Sequence, residues 1–455
     1  MGYLKYSEYR QPEIHSPYLI PTHWKEKKFR FLFTFGRGLG ITKSDLVDEG
    51  IACINYGEIH SKYGFEIVPE KQDLKCVVES YLENSISSLL NNGDFVFADT
   101  SEDLEGSGNF AHLNSNVSTF AGYHTVIARP TGEHLSRFLA YFIDSSLYRS
   151  QIRKSVSGVK VFSITQAILK NSYIWLPPID EQEKIAVFLD NKTQKIDSLI
   201  KKKKELIEKL EEQRIAVITQ AVTKGIDENA KLKPSGVDWL GDVPKNWNVV
   251  KFKYFIGYQE GPGIMAVDFK DEGVPLLRIR NVQNGYVEME GCNYLDPAKV
   301  ERTWSHFKCK KDDLIISGSA STGLVSEVRN DAVGSIVYTG LIRLWPYNEK
   351  IEKDYICLLV SSELFSSQID QLKTGSTIQH FGPEQLRKIL IILPPIEEQL
   401  VIVNKVKSKL DFINELIEKA QEALLKLAEY RSAIITSAVT GKIDVREIEM
   451  PEVNL

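Results

Sequence analysis

The sequence is poor in the features that would mark a secreted, membrane-bound or metal-dependent protein. No apolar run in its 455 residues approaches the roughly eighteen that a membrane-crossing helix needs. The opening Met1-Gly2-Tyr3-Leu4-Lys5 has no apolar signal core, so the cytoplasm is the expected compartment. Cysteine is scarce. Cys53, Cys76, Cys292, Cys309 and Cys357 lie far apart with no C-x-x-C pair, which fits reduced thiols better than a disulfide frame or a zinc site. The eight histidines form no H-E-x-x-H or comparable ligand cluster. An excess of positive charge is missing too, since 56 Lys and Arg face 61 Asp and Glu for a net charge of −5. That balance argues against a protein that simply coats nucleic acid. A sequence-specific reader, by contrast, needs local basic patches and groove contacts rather than overall basicity.

What is present is an internal duplication. Leu176-Pro177-Pro178-Ile179-Asp180-Glu181-Gln182 returns as Leu393-Pro394-Pro395-Ile396-Glu397-Glu398-Gln399, 217 residues on (176 to 393). Ala221-Val222-Thr223 returns as Ala438-Val439-Thr440, and Ile226-Asp227 as Ile443-Asp444, at the same offset. Upstream, Pro21-Thr22-His23-Trp24 matches Pro244-Lys245-Asn246-Trp247, and Asp48-Glu49-Gly50 matches Asp271-Glu272-Gly273, both 223 residues on (21 to 244). Each half is therefore a divergent domain followed by a segment of fixed length.

The fixed-length segments read as long helices. Ile185, Leu189, Ile196, Leu199, Leu206, Leu210 and Val217 fall on alternating four- and three-residue steps. Ile402, Val406, Ile413, Leu416, Ala423, Leu427 and Ile434 repeat the pattern, which is that of a coiled coil. Proline is tolerated at each start, and Gly225 and Gly441 sit where each helix should stop. About forty residues at a rise of about 1.5 Å give a rod of roughly 60 Å. Lys192, Lys203, Gln213, Lys409 and Tyr430 interrupt the apolar seam. Such residues either fix register or reach past the seam to water. The run Lys201–Lys204, followed by Glu205, Glu208, Glu211 and Glu212, reads as a solvated, ion-paired face. The first helix ends before the second domain and the second helix begins just after it, so antiparallel pairing is expected, with one domain at each end of the rod.

The divergent domains read as mixed α and β. Phe95-Val96-Phe97, Leu276-Leu277-Arg278-Ile279 and Leu314-Ile315-Ile316 have the look of strands, and helices are expected near Leu135–Leu147 and Asp354–Leu372. Gly106-Ser107-Gly108-Asn109-Phe110-Ala111 and Gly261-Pro262-Gly263-Ile264-Met265-Ala266 imitate a dinucleotide fingerprint, but neither precedes an amphipathic helix in a βαβ setting. Gly38-Leu39-Gly40-Ile41-Thr42-Lys43-Ser44 lacks the core of a phosphate loop. No catalytic constellation emerges.

The remaining signals suit a reader of DNA grooves. No acidic residue lies between Ser145 and Ile179, where Arg149, Arg153, Lys154, Lys160 and Lys170 supply phosphate-positioning charge. The matching stretch of the second domain holds Lys373, Ser376, Thr377, Gln379 and His380. Arg278, Arg280 and Asn281 are candidates because arginine pairs with guanine and asparagine with adenine in the major groove. Tyr56, His60, Lys62 and Tyr63 cluster at an equivalent place in the first domain, and Arg37 and the loop residues Ser319 and Thr322 complete the set of candidate DNA contacts.

The duplicated Leu-Pro-Pro-Ile-(Asp/Glu)-Glu-Gln start, the long heptad helix and the Ala-Val-Thr end resemble the specificity subunit of type I restriction–modification systems. Ser235-Gly236-Val237-Asp238-Trp239-Leu240-Gly241-Asp242-Val243-Pro244-Lys245-Asn246-Trp247 resembles that family's approach to a recognition domain, as does, less closely, Asn55-Tyr56-Gly57-Glu58-Ile59-His60. The stretch from Tyr18 to Trp24 lacks the Ser-Gly and Trp-Leu-Gly elements. The resemblance spans essentially the whole chain and implies an α+β protein. Two mixed α/β target recognition domains would be separated by two long helices forming an antiparallel coiled coil. The first recognition domain would occupy 1–175, the first helix 176–225, the linker and second recognition domain 226–392, and the second helix with the tail 393–455. The resemblance further implies a non-catalytic subunit reading a split, asymmetric site on double-stranded DNA. Its partners would be two methylation subunits that bind S-adenosylmethionine and two motor–nuclease subunits that bind ATP, so this chain itself would take no cofactor. The competing reading is a coiled-coil scaffold with two protein-binding ends. Steeply salt-dependent DNA binding separates the two.

Overall fold

The computed structural model describes residues 3–14, 16–158, 161–318, 324–372 and 380–448. The chain divides into two compact units, Met1–Lys203 with Ala423–Leu455, and Lys204–Glu422. Both boundaries fall inside the long helices, Ile179–Lys224 and Ile396–Val439. Each unit therefore contains a domain, the first part of the helix that follows it and the last part of the other helix.

The duplication is repeated in the sheets. In the first unit a five-stranded sheet runs in the order Phe33–Arg37, Thr125–Pro130, Phe95–Ala98, Phe110–Leu113, Phe65–Ile67. In the second the order is Ile256–Glu260, Leu341–Pro346, Leu314–Ser317, Val325–Glu327, Gly285–Tyr286. Only the last pair of each sheet is parallel. Register aligns the copies residue by residue, because Val126 lies opposite Arg37 as Ile342 lies opposite Glu260. The central strands Phe95–Ala98 and Leu314–Ser317 are buried along their whole length. This accounts for their unbroken apolar sequences, since strands covered on both faces have no polar alternation. A smaller four-stranded sheet accompanies each large one.

Against each large sheet packs a helical hairpin, Ser136–Asp144 with Ser146–Ser155 in the first unit and Lys353–Val360 with Glu363–Leu372 in the second. The sequence pattern reads as one helix in each place. Buried Ser145 and Ser362 divide it, each hydroxyl donating to the carbonyl three residues back (Phe142 and Leu359) at 2.5 Å. A serine side chain that competes for backbone groups favours such a break. Phe138, Tyr141, Phe142 and Tyr148 then join Trp24, Phe29, Phe95 and Phe97 in the first core. Burial of each such side chain contributes about 1.5–3 kcal/mol.

The duplicated heptapeptide fastens each long helix to its domain. Gln182 accepts from the Leu135 N–H (3.1 Å) and donates to the Pro177 carbonyl (2.9 Å). Gln399 accepts from the Glu352 N–H and donates to the Pro394 carbonyl, both at 2.9 Å. Both glutamines are buried. The far end of each helix makes the reciprocal contact. Thr436 Oγ1 accepts from the Ser146 N–H (3.0 Å) and Thr219 Oγ1 from the Glu363 N–H (2.9 Å). Gly225 and Gly441 close the helices with left-handed φ values of 79° and 71°.

Within each unit the helical segments run antiparallel. In the first, Asp197 pairs with Arg431 at 2.9 Å while Lys184 reaches the Arg446 carbonyl at 3.3 Å. In the second, Leu210 packs with Ile413 and Ile417, and Ala221 lies across a small cavity from Val406. The seam differs from the expected one in its middle. Leu199 and Leu206 are 49% and 41% exposed, and Ile200 and Ile207 take their places. A straight helix at 3.6 residues per turn drifts against a strict seven-residue repeat, so the inward face moves on by one position. Gln213, Lys409 and Tyr430 are exposed, whereas Lys192 and Lys203 are half-buried.

Candidate nucleic-acid interface

In the first unit the candidate residues are organised by one short helix and two loops. Asn55 precedes the helix Tyr56–Ser61, whose Glu58 accepts from the Asn55 N–H at 3.0 Å. The buried Asn55 amide oxygen also accepts from the Tyr123 N–H at 3.2 Å, which brings the turn at 122–124 onto the helix. Only glycine fits at 122, because a Cβ there would lie 1.9 Å from that oxygen. The Tyr56 ring consequently meets Tyr123 at 5.6 Å and His124 at 5.3 Å.

His60 is fully engaged. Its Nε2–H donates to the Thr100 carbonyl (2.8 Å), and its Nδ1 accepts from the Asn109 amide (2.9 Å). It thus anchors the loop 99–109 rather than reaching outwards. Arg153 is tied to the same loop through an ion pair with Glu105 at 2.8 Å, and the neighbouring Lys154 is exposed. Lys62 is exposed at the far end of the short helix, where the Tyr63 hydroxyl donates to the Asp73 carbonyl (2.8 Å). Arg37 ends its strand beside a groove of about 590 Å³, lined also by Asp99, Thr100, His124, Ser163 and Gln166. Its guanidinium has no hydrogen-bond or ion-pair partner among the described residues. Of the predicted residues Arg37 lines this groove itself, while Tyr56 is linked to it through His124, His60 through Thr100 and Arg153 through the 99–109 loop, and Lys62 and Tyr63 are not among its lining. Lys160 lies outside the described residues.

In the second unit Arg278 is exposed, stacks near Phe269 (5.8 Å) and Tyr338 (5.5 Å) and donates to Asn293 at 3.3 Å. Arg280 is exposed; its carbonyl accepts from the Gln283 amide at 2.9 Å, and its guanidinium has no hydrogen bond or ion pair among the described residues. Asn281 corrects the sequence reading. It is completely buried, its amide donates to the carbonyls of Glu288 (2.8 Å) and Glu290 (3.1 Å), and its oxygen accepts from the Arg278 N–H (2.8 Å). With every polar atom committed, it shapes the loop that presents the two arginines and does not reach a base. His380 is exposed beside Phe381, whose N–H donates to the Gly318 carbonyl at 2.9 Å. Ser319, Thr322, Lys373, Ser376, Thr377 and Gln379 lie outside the described residues.

Asp99, Tyr123 and His124 escaped the sequence reading. Nothing local marks them; strand register brings Asp99 and His124 to the groove, and Tyr123 packs on Tyr56. One signal was available, namely alignment of the two domain copies, which sets His124 against a glycine.

Among the described residues no group of three or more His, Cys, Asp and Glu side chains is placed to hold a metal ion. No described helix is long and apolar enough to cross a membrane. The five cysteines are unpaired.

Comparison with known proteins agrees with this architecture. The family model for the type I restriction modification DNA specificity domain matches the chain twice, over residues 21–209 and 244–426. The type I restriction enzyme MjaVIII specificity subunit of Methanocaldococcus jannaschii is 28% identical over 317 residues, which cover 68% of this chain and 71% of that protein. The type I restriction enzyme EcoKI specificity subunit of Escherichia coli K12 is 24% identical over 367 residues, covering 78% and 76%. A chain solved in a study of complex assembly and conformational transition of the type I R-M system has the same fold. Its TM-score is 0.66 at 17% identity, covering 93% of this chain and 99% of that one.

Proposed function

The chain belongs to the type I restriction modification DNA specificity family, and on that premise we propose that its two domains read the two halves of one split, asymmetric DNA site. It is a DNA sequence-recognition subunit and not itself a catalyst. Methylation subunits carry out adenine methylation at the site it selects, and motor–nuclease subunits carry out restriction. The cytoplasm, where the chromosome is exposed to such a complex, is its proposed place of work.

One observation carries the two-half-site reading. The domains share strand order and register but differ at the positions that face the groove, where Arg37 of the first copy stands opposite Val126 and Glu260 of the second opposite Ile342. A common frame with different chemistry at its reading edge suits two unrelated half-sites, since phosphate contacts position a protein and base contacts specify. A protein scaffold would leave the paired matches to a DNA specificity domain without a role.

The test is the methylation map of the source genome with the gene intact and deleted. Loss of methyladenine at one split motif on deletion is the expected result, and it names both half-sites. A map that keeps every motif, with the partner subunits expressed, would sink the proposal.

A further inference from the structure

Three non-glycine residues have left-handed backbone among the described residues: Phe65 (φ 75°), His124 (φ 55°) and Asp312 (φ 67°). Side chains rarely adopt this region, and an outlier of this kind points towards a reason for it. The duplicated fold supplies the comparison. By strand register Phe65 corresponds to Gly285 (φ 99°) and His124 to Gly340 (φ 85°), while Asp312 corresponds to Gly93 (φ 92°). The second pair is also fixed by a hydrogen bond, because the His124 carbonyl accepts from the Asp99 N–H as the Gly340 carbonyl accepts from Gly318.

The three side chains are placed differently. The Phe65 ring packs on Tyr141 at 4.9 Å and beneath the Arg137 guanidinium at 5.1 Å. Aspartate tolerates the left-handed region through its short polar side chain. His124 is also of a residue type that enters this region more readily than most, and what sets it apart is where its side chain goes. Its side chain is 58% exposed and lines the groove beside Arg37. A position that takes glycine without strain in one copy carries an outward-facing imidazole in the other.

We propose that His124 and Arg37 are specificity-determining residues of the first domain, a pair that reads base edges in its half-site. This rests on the DNA-recognition reading above. The ring is oriented for the task. Nδ1–H donates to Asp99 Oδ1 at 3.2 Å, and the Tyr56 ring stands edge-on at 5.3 Å. A carboxylate can only accept, so in the neutral ring Nε2 is left as an acceptor. In the major groove an acceptor matches the amino group of adenine or cytosine, and the unpaired donors of Arg37 match O6 and N7 of guanine. The first half-site accordingly contains a guanine and a nearby base bearing an amino group. In the second domain Glu260 and Gly340 occupy these places, and the Glu260 carboxylate accepts from the Gly340 N–H at 3.3 Å, so that domain does not share the code.

The decisive variant is His124→Gly, which deletes the imidazole and installs the residue that the sister domain uses. The full chain in complex with its methylation subunits is assayed on a duplex carrying the mapped motif and on duplexes with single substitutions across the first half-site. The expected result is a drop on the order of tenfold in discrimination at one amino-bearing position. Discrimination elsewhere is retained and the melting temperature is not lowered. Arg37→Gln is expected to relax the guanine position in the same way. Uniform weakening across all duplexes, unchanged discrimination at every position, or a lowered melting temperature of His124→Gly would each overturn the assignment. If the unaltered complex prefers no duplex at all, the DNA-recognition reading itself fails, which separates the two results.

Discussion

His112 shows how the two copies of one fold solve the same position differently. It is buried on the strand Phe110–Leu113, 5.0 Å from the Phe95 ring, and neither ring nitrogen has a hydrogen-bond partner among the described residues. Burial, with the positive charge of Arg137 adding to it, pushes its pKa down from 6.5 to about 3. The corresponding residue of the second domain is Glu327, which pairs with Lys353 at 2.8 Å. A histidine that stays neutral when folded and takes up a proton when unfolded stabilises the fold fully above pH 6.5. That stability is lost as pH falls from 6.5 towards 3, at up to about 1.4 kcal/mol per pH unit. His112→Leu should therefore flatten the acid limb of a stability–pH curve measured by urea unfolding of the full chain. Equal slopes for the two proteins would refute this.

The same scale explains why the candidate site was only partly legible. The basic and aromatic residues near Tyr56 and Arg153 could be noticed as a composition, and several do gather. Whether each was free to reach outwards depended on partners remote in sequence, such as Thr100 and Asn109 for His60 or Glu288 and Glu290 for Asn281. Arg37 and His124 share a groove because two strands pair in a particular register, and no local pattern encodes that.

At the scale of elements the sequence is far more transparent. The long helices announce themselves through their period, their prolines and the glycines at their ends, all local signals. The Gln182 and Gln399 contacts explain why the heptapeptide recurs, since each glutamine ties a helix start to a backbone N–H that begins another helix. The seam was misplaced only where drift accumulates. This makes neighbouring residues a sharp test, with Leu206 on the exposed face and Ile207 packed beside Leu210, Ile413 and Ile417. Ile207→Lys should destabilise the chain by about 1–2 kcal/mol, because it removes apolar burial and forces a charge towards the seam. Leu206→Lys should stay within about 0.5 kcal/mol. Chemical denaturation of the two variants checks the register, and the reverse order would restore the strict heptad.

At the scale of the whole molecule, neither domain is complete alone. The first domain is capped by Thr436 from the end of the second helix, and the second by Thr219 from the end of the first. The segments between heptapeptide and cap have the same length in both copies (176 to 219 and 393 to 436), although the domains have diverged. Each helix starts on one domain and ends on the other, so packing alone requires the two to keep one common length. Whether that length also sets the separation between half-sites is tested by changing both helices together. Seven residues inserted after Lys203 and seven after Glu422 fall at the boundaries between the units and keep the heptad phase. They add about 10 Å to each helix at about 1.5 Å per residue, close to three base pairs at about 3.4 Å each. The methylated motif of this double insertion should keep both half-sites and gain about three base pairs between them. The same insertion in one helix alone should instead lower the melting temperature, since the pairing of Asp197 with Arg431 or of Leu210 with Ile413 could not then be kept together with both caps. An unchanged gap in the double insertion would show that the helices fix the fold of each unit without setting the spacing of the site.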